Sequence, residues 1–379
     1  MVITWIKNME KRYQGISDAH DPNRWPVAKA VLSMISVCYQ LGVQLRTELY
    51  DRAILPTRRL ECKVIAIGNM TAGGTGKTPM AMYIAQLVER SGKRVVIISR
   101  GYRGSAEKRG GVVSDGSQIL MSPAEAGDEP YMMAQKLGSI PVLVGRSRYK
   151  SGLEAVRKFQ AQVVILDDAF QHIQLHRDLN LLLLDAKHPF GNGFLLPRGR
   201  LREPVAAANR ADAVVYTRSN SMLQAPRKTN RWIESKPYFK SIHTPIFYQV
   251  TGVQQKELIR RPYALTRISN HDMSGYSVYA FAAIANNADF RKTIESSEME
   301  LCGFRFFNDH HVYSDTELDQ IVLEMKESGA RWLITTEKDF FRIENRSNLP
   351  SRLLVVGIDI YFGDQKDKFE NFIFSRLSD

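Results

Sequence analysis

Short apolar runs separated by amphipathic stretches fill the middle of the chain. Five runs rich in Val, Ile and Leu follow Cys62, as expected of buried parallel strands; they lie at residues 64–67, 95–98, 163–166, 181–184 and 213–216. Helical patterns lie between them, for example at residues 80–89 and 123–137. This alternation predicts an α/β fold with a doubly wound parallel sheet, in which ligands bind at the carboxyl ends of the strands.

A second, smaller α/β pattern follows a less regular stretch. The polar sequence around Pro226, Pro237 and Pro245 predicts a linker. Beyond it, strand patterns at residues 277–283, 332–335 and 353–358 alternate with helical patterns near residues 289–299 and 316–328. We expect four consecutive parts: an N-terminal extension with a helix at residues 1–61, a first α/β domain at 62–225, a linker at 226–274 and a C-terminal α/β domain at 275–379.

An apolar stretch near the N-terminus is long enough for a membrane-spanning helix. Residues 27–45 read VAKAVLSMISVCYQLGVQL, but Lys29, Gln40 and Gln44 interrupt the apolar pattern and favour one wet face. Arginines at positions 46, 52, 58 and 59 follow the stretch and suit a headgroup boundary with anionic lipid. We expect an interfacial helix at an anionic membrane surface. A helix packed on the domain core or on another subunit, and a single transmembrane span, are the alternatives.

Composition indicates the net charge of the chain and the cellular compartment that suits it. The 379 residues include 52 Lys and Arg against 40 Asp and Glu, a net charge of +12 that suggests an anionic partner. Nucleotide, phosphorylated substrate and acidic lipid all fit, whereas nucleic acid is not expected because the chain has no aromatic-basic platform or helix-turn-helix signal. Three separated cysteines predict neither disulfides nor a zinc site, and no cleavable signal begins the chain, so a reducing cytoplasm is expected.

The first apolar run leads into a glycine-rich turn. Residues 65–80 read IAIGNMTAGGTGKTPM, with a strand pattern before the turn and a helical pattern after it. Such a phosphate loop points backbone N–H groups at polyphosphate oxygens, with Lys77 at the β- and γ-phosphates and Thr78 at Mg²⁺. Thr71 stands where the usual G-x-x-x-x-G-K-[ST] pattern has its first glycine, so the loop is a variant. The predicted ATP-binding residues are Thr71, Ala72, Gly73, Gly74, Thr75, Gly76, Lys77 and Thr78.

Carboxylates and arginines follow other predicted strands of this domain. Asp167 and Asp168 come directly after the third run, where phosphate-loop proteins use a carboxylate to hold Mg²⁺ or its waters; a helix N-cap is the alternative. The segment LLPRGRLREP at residues 195–204 contains arginines that either clamp phosphate bidentately or form a solvated basic surface. These arginines are Arg198, Arg200 and Arg202.

Two further motifs carry groups suited to proton transfer. Asp128 and Glu129 begin a helical pattern in AGDEPYMMA. A general base or a second metal ligand is useful there, although charges in a first helical turn are the simpler interpretation. His310 lies in FNDHHVYSD of the predicted C-terminal domain, where it either tunes a carboxylate base or lies in a surface loop.

In their order along the chain, the motifs resemble those of a known family. The strings GNMTAGGTGKTP, SRGYRG, AGDEPYMMA, ILDDAFQH, LHRDLNLLLLDA, LLPRGRLREP, FNDHHVYSD and TTEKD occur as in tetraacyldisaccharide 4'-kinase, the lipid A 4'-kinase of Gram-negative bacteria, over about residues 41–341. The resemblance implies transfer of the ATP γ-phosphoryl group to the 4'-hydroxyl of a tetraacylated glucosamine disaccharide 1-phosphate. It also implies Mg²⁺ and the cytoplasmic face of the inner membrane, and no obligate protein partner is evident from the sequence.

The resemblance implies a role for each matching residue. Lys77 and Thr78 would contact phosphate and Mg²⁺, and Arg202 would lie near the transferred phosphate. Asp128 would be the catalytic base, with His310 as its partner from the other domain and the linker as a hinge. The carboxylates linked to Mg²⁺ would be Glu129 and Asp168, with Asp167 and His172 as their neighbours.

A membrane-associated regulatory ATPase is the alternative function. Proteins of that class, which position division or partition proteins, have a phosphate loop of the same spacing. They carry a lysine at the position that Ala72 occupies here. The sequence therefore favours the lipid kinase and keeps the regulatory ATPase as the second candidate.

Overall fold

Helices and strands alternate along the computed structural model, which describes residues 26–219, 231–252, 263–284, 286–344 and 352–378. The α-helices in these ranges are α1 Pro26–Asp51, α2 Lys77–Arg90, α3 Pro123–Ala126, α4 Asp128–Leu137, α5 Arg148–Phe159, α6 Asn287–Glu295, α7 Asp315–Glu327, α8 Glu337–Ile343 and α9 Lys366–Leu377. The strands are β1 Lys63–Asn69, β2 Val95–Ser99, β3 Gly111–Ser114, β4 Val142–Val144, β5 Val163–Leu166, β6 Leu179–Asp185, β7 Ala213–Thr217, β8 Tyr238–Lys240, β9 Ile242–Gly252, β10 Tyr263–Ile268, β11 Ser277–Ala282, β12 Glu300–Phe306, β13 Trp332–Thr336 and β14 Leu353–Tyr361. Short 3₁₀ helices lie at Val205–Arg210, Asn270–Met273 and Gly363–Gln365.

Contacts divide the chain into two compact units, and both units are discontinuous in sequence. The first unit comprises Met1–Ile98, Arg148–Ile242 and Tyr361–Asp379, and the second comprises Ser99–Ser147 and His243–Ile360. This division differs from the consecutive domains expected at residues 62–225 and 275–379. The segment that carries Asp128 joins the second unit, and the C-terminal helix α9 joins the first, where Tyr83 of α2 donates a hydrogen bond to Glu370 (2.7 Å).

The first unit contains a parallel sheet with the strand order β2-β5-β1-β6-β7-β8. Each neighbouring pair in this order is parallel. The five apolar runs predicted from the sequence are its strands β1, β2, β5, β6 and β7, so the predicted α/β class is confirmed. Every residue of β5 is buried, as expected of a parallel strand with a neighbour on each edge.

The register of this sheet places two predicted motifs at one edge. Ala66 of β1 is paired with Leu166, the last residue of β5. The phosphate loop after β1 and the carboxylates after β5 therefore leave the sheet side by side. The two segments are packed without a gap, because the Ala169 N–H donates to the Ile67 carbonyl (3.0 Å) and a Cβ at Gly68 would lie 2.5 Å from the Phe170 nitrogen.

The second unit contains a six-stranded sheet with the order β10-β9-β14-β13-β11-β12. Strands β11 to β14 form parallel pairs, whereas β9 and β10 are antiparallel. Its core is formed by buried side chains from β9, β11, β13, β14 and α6; among them are Phe247, Val278, Phe290, Ile334 and Leu354. Strands β3 and β4 also belong to this unit and form an antiparallel pair.

The linker predicted at residues 226–274 contains strands β8, β9 and β10 where the structure describes it. Proline suggested a loop there, but Pro237 only precedes β8. Pro245 lies in β9 before Phe247, the residue at which the pairing with β10 ends. Pro245 thus lies outside the register that pairs β9 with β10. Much of the described part of this range therefore forms strands, and the linker remains a prediction.

Candidate active site

Two glycines give the phosphate loop its shape. Gly76 caps the N-terminus of α2 with a φ of 81°, and Gly73 has a φ of 126°, both in the left-handed region that glycine adopts without steric cost. Gly73 and Gly74 are exposed, and a Cβ on either would meet no atom within 4 Å. The loop backbone is thus open on the side where a phosphate could approach the first N–H groups of α2.

Lys77 and Arg202 converge on one carboxylate. The Lys77 ammonium lies 3.4 Å from the Gly73 carbonyl and 3.7 Å from Asp168 Oδ1. Arg202 donates from Nη1 to both oxygens of Asp168, at 2.8 and 3.0 Å. Burial alone would raise the pKa of Asp168, but the positive charges of Lys77 and Arg202 outweigh it and lower that pKa. The predicted residues Lys77, Asp168 and Arg202 therefore form one cluster.

Backbone pairing holds Arg202 in this position. Thr71 and Leu201 form an antiparallel bridge. The Ala72 N–H donates to the Arg200 carbonyl and the Arg202 N–H donates to the Met70 carbonyl, each at 2.7 Å. Two segments far apart in sequence, the phosphate loop and LLPRGRLREP, thus support each other as a short two-stranded ribbon.

Thr78 lies beside the other carboxylate of the pair. Its hydroxyl is 3.4 Å from Asp167 Oδ2, and both residues are buried. Asp168, by contrast, has a left-handed φ of 48°, and its carboxylate is bound by Lys77 and Arg202. The sequence predicted that Asp168 and Thr78 share a metal; the structure places Asp167 next to Thr78 instead.

His172 lies in the segment that follows β5, near several arginines. Burial and the nearby charges of Arg148, Arg46 and Arg177 lower the pKa of His172 to about 4. Its neighbour Gln171 donates a hydrogen bond to the Asn69 carbonyl (2.9 Å), which ties the segment after β5 to the start of the phosphate loop. His172 is therefore a neutral structural neighbour of the cluster near pH 7.

Helix α1 docks on the same loops by its polar positions. Ser36 donates to the Leu195 carbonyl (3.0 Å), Tyr39 to the Arg202 carbonyl (2.8 Å) and Arg46 to the Gln171 carbonyl (3.2 Å). Apolar side chains of α1 are exposed along the chain; they include Val27, Val31, Met34, Leu41 and Leu45. By length and composition alone α1 could cross a membrane, but core helices and leader sequences meet the same criterion.

Asp128 and His310 meet within the second unit. Asp128 is the first residue of α4, where Gly127 precedes it with a φ of 86°. His310 Nδ1 lies 2.7 Å from Asp128 Oδ2, and Arg342 Nη2 donates to the same oxygen at 2.6 Å. Burial opposes ionisation, but the hydrogen bonds from His310 and Arg342 lower the pKa of Asp128 far below its usual range. The expected contact is present, and both residues belong to one compact unit.

The turn that carries His310 is braced on both sides. His310 has a left-handed φ of 64°, and its N–H is 3.3 Å from the Ala283 carbonyl. The ring of the next residue, His311, lies 3.1 Å from both carboxylate oxygens of Glu317 and is stacked on Phe307. These contacts fix a backbone conformation that is otherwise uncommon for a non-glycine residue.

Ion pairs connect α8 to α4. Lys338 is paired with Glu129, and Glu337 is paired with Lys136 at 2.7 Å. Glu129, which the resemblance implied as a metal-linked carboxylate, thus belongs to the second unit, whereas Thr78 and Asp168 belong to the first. Among the described residues, no group of three or more His, Cys, Asp and Glu could hold a metal ion.

Sequence reasoning missed the role of Arg342. The motif TTEKD ends at Asp339, and Arg342 follows three residues later on the same helix, where it donates to Asp339 Oδ1 at 2.8 Å. An Asp and an Arg at positions i and i+3 face each other on a helix, which is the one signal that pointed to this pair. Nothing in the sequence linked Arg342 to Asp128.

The parallel sheet, the glycine turn that begins α2 and the lysine beside a strand-end carboxylate define a nucleotide-binding protein of the phosphate-loop class. The sequence model of the LpxK family, described as tetraacyldisaccharide-1-P 4'-kinase, matches residues 28–378, and the chain belongs to this family. The resemblance inferred from the motifs is therefore confirmed. Membership in this family favours the kinase over the regulatory ATPase.

Individual relatives match over nearly the whole chain. The tetraacyldisaccharide 4'-kinase of Desulfatibacillum aliphaticivorans is 38% identical over 98% of this chain and 99% of its own length. That of Syntrophus aciditrophicus (strain SB) is 38% identical over 92% of this chain and 93% of its own. The crystal structure of LpxK from Aquifex aeolicus in complex with ATP is similar with a TM-score of 0.71 and 32% identity, over 92% of this chain and 99% of that one.

Proposed function

We propose that this chain transfers the γ-phosphoryl group of ATP to the 4'-hydroxyl of a tetraacylated glucosamine disaccharide 1-phosphate, a step of lipid A biosynthesis. The observation that carries the proposal is the full-length match to tetraacyldisaccharide 4'-kinases together with the cluster of Lys77, Asp168 and Arg202 at the phosphate loop. In a relative of known structure the bound nucleotide is ATP, which supports ATP as the donor here.

Cations at the phosphate loop suit the charge of a transferring phosphoryl group. Phosphoryl transfer depends mainly on positioning and on neutralising charge at the phosphate oxygens. Lys77 and the N-terminus of α2 would bind the donor phosphates, and Arg202 would stabilise the transferred group. Asp168 holds both cations in place before nucleotide binds, since its carboxylate contacts each of them.

The oxygen donors beside the loop fit a magnesium ion. Mg²⁺ bound with a nucleotide usually takes one or two carboxylates, with phosphates and waters supplying the other positions. The Thr78 hydroxyl and the Asp167 carboxylate are adjacent, and we propose them as the residues that would hold the ion. Bound Mg²⁺ would neutralise phosphate charge. The carboxylates of Asp168 and Glu129 are instead each paired with a cationic side chain.

Asp128 is the proposed general base. The acceptor hydroxyl must lose its proton as its oxygen bonds to phosphorus, and an ionised carboxylate can take that proton. His310 and Arg342 stabilise the ionised form of Asp128, so the carboxylate is deprotonated at neutral pH; the same contacts lower its basicity, so proton transfer to it requires that they weaken as the proton arrives. His310 is its proposed partner in this step.

The apolar face of α1 supports a place at the cytoplasmic face of the inner membrane. An acylated substrate resides in a bilayer. A helix that has one apolar face and basic residues nearby binds the surface of a membrane with anionic lipids. Met34 and Leu41 are 66% and 60% exposed, and the chain carries a net charge of +12. We propose that α1 lies in the interface and that the anionic lipid surface is the chain's main partner.

Removal of the Lys77 ammonium tests the role of the phosphate loop. Lys77→Ala should lower kcat for lipid phosphorylation about 100-fold or more, because positioned charge at the transferring group contributes effects of this size. Turnover is measured with labelled ATP and tetraacyldisaccharide 1-phosphate in detergent micelles. Lys158→Ala is the matched control, since Lys158 forms an exposed pair with Glu154 on α5. Equal turnover in the two variants would contradict the assignment of Lys77.

A further inference from the structure

Arg342 is a nearly buried cation with three oxygen partners. Its side chain is 8% exposed. The guanidinium donates to Asp128 Oδ2 at 2.6 Å, to Asp339 Oδ1 at 2.8 Å and to the Ala283 carbonyl at 3.2 Å. A buried charge is costly unless it is paired, and the planar fork of Arg can serve two carboxylates at fixed angles. Arg342 therefore bridges Asp128 and Asp339.

Asp339 is itself held in a fixed position. Its carboxylate is fully buried. Oδ2 accepts hydrogen bonds from the Ala283 N–H at 3.0 Å and from the Thr336 hydroxyl at 2.7 Å, so it is tied to the end of β11 and to the N-cap of α8. Asp339 thus fixes the position of the Arg342 guanidinium relative to the ends of β11 and β13.

Ala283 also contacts the turn that carries His310. The His310 N–H is 3.3 Å from the Ala283 carbonyl, and His310 Nδ1 is 3.3 Å from Arg342 Nη2. Both contacts that Asp128 makes through its side chain in the described structure use Oδ2. Arg342 and His310 therefore restrain one oxygen of the carboxylate, and the other, Oδ1, is left to meet an acceptor hydroxyl.

We propose that Arg342 is a positioning residue that fixes the Asp128 carboxylate for proton abstraction, an inference that rests on the proposed kinase function and on Asp128 as its base. A carboxylate in a first helical turn can otherwise adopt several rotamers. Misplacement of a catalytic group by about 1 Å costs on the order of 100-fold in rate. Loss of the bridge should therefore lower kcat and leave substrate binding nearly unchanged.

A purely structural role for Arg342 predicts a different result. Arg342 could serve only to dock α8 on α4, as the Lys136–Glu337 pair does. That pair is a matched control, because it joins the same two helices at 2.7 Å and its Glu337 side chain is 8% exposed. If docking is all that matters, Lys136→Ala and Arg342→Ala should impair the enzyme alike.

The test compares variants of the full chain in the lipid phosphorylation assay. We expect Arg342→Ala to lower kcat about 10- to 100-fold with KM for ATP and lipid within about twofold of wild type. Arg342→Lys keeps the charge but not the fork, so it should fold and still lose about tenfold in kcat. Lys136→Ala should lower the melting temperature and keep kcat within about twofold of wild type.

Chemical rescue separates positioning from folding. Guanidinium chloride at low millimolar concentration should restore part of the kcat of Arg342→Ala, whereas potassium chloride at the same ionic strength should not. Wild-type kcat in Arg342→Lys, or equal kcat losses in Arg342→Ala and Lys136→Ala, would overturn the proposal. An active wild-type enzyme in the same assay keeps such a failure distinct from failure of the kinase function itself.

Discussion

At the scale of single residues, the arginines that surround the phosphate-loop cluster also determine the charge of His172. Burial and the charges of Arg148, Arg46 and Arg177 lower the pKa of His172 from its ordinary value of 6.5 to about 4. The folded protein thus keeps the ring neutral over a pH range in which an unfolded chain protonates it. This difference makes folding depend on pH.

Between about pH 6.5 and 4 the unfolded state binds one more proton at His172 than the folded state, so stability should fall as the pH is lowered through this range. His172→Asn should remove this part of the pH dependence, a change of roughly 1–3 kcal/mol. Urea unfolding at the two ends of the range measures it. His188→Asn, at an exposed position, is the control and should follow wild type. A wild-type slope in His172→Asn would contradict this account of His172.

Residue types and the family resemblance together predicted much of the candidate site, and the remainder depends on backbone conformation. Lys77 was predicted from the phosphate loop, whereas residue types left the roles of Asp128, Arg202 and His310 open and the resemblance implied them. The distinction between Asp167 and Asp168 was not predictable, because it depends on the left-handed φ of 48° at Asp168, which separates the contacts of two adjacent carboxylates. Arg342 was missed since its partner Asp128 is far away in sequence.

At the scale of elements, α1 combines a docked polar face with an exposed apolar face. Ser36, Tyr39 and Arg46 bind backbone carbonyls of the first unit, which matches the alternative of a helix packed on the domain. The exposed stripe matches the expectation of an interfacial helix. The two faces are compatible, since an interfacial helix needs apolar side chains on one side only.

A charge placed on the apolar face of α1 should weaken membrane binding. Leu41→Glu should lower the affinity for vesicles of anionic phospholipid about 10- to 100-fold, because it removes a leucine whose burial is worth about 1.5–3 kcal/mol. Gln44→Glu adds the same charge at an exposed polar position and should cost less than about tenfold. Vesicle co-sedimentation measures both. Equal affinities of the two variants would contradict insertion of this face.

Strong apolar periodicity made most elements predictable, and weak periodicity hid the others. The five runs of the first sheet were found because buried parallel strands are apolar on both faces. Strand β9, which reads IHTPIFYQVTG, has polar residues and a proline, so its pattern predicts a linker. Helix α8 has only seven residues and is held by ion pairs to α4, which local sequence does not reveal.

At the scale of the whole molecule, the chain crosses between its two compact units more than once. Residues 99–147 leave the first unit and join the second, and the last segment returns to the first. Order along the sequence suggested consecutive domains, because the contacts that decide membership are distant in sequence. Tyr83 with Glu370 and Phe239 with Phe369 are examples in the first unit.

This division changes the expected relation between the base and its partner. The resemblance suggested that Asp128 and His310 come from different domains with the linker as a hinge. Both lie in the second unit, together with Arg342 and Asp339. The Asp128–His310 pair is therefore assembled by folding of one unit, and its geometry does not require a motion of the chain between residues 226 and 274.

Identification of the product distinguishes phosphorylation of the lipid from simple hydrolysis of ATP. Purified full-length chain is incubated with ATP and tetraacyldisaccharide 1-phosphate, and the lipid is analysed by mass spectrometry and phosphorus NMR. We expect a new phosphomonoester at the 4'-position beside the original 1-phosphate, with ADP formed in equal amount, and no such product from Lys77→Ala. Consumption of ATP with release of free phosphate and no phosphorylated lipid, or phosphate at another hydroxyl, would contradict the proposed function.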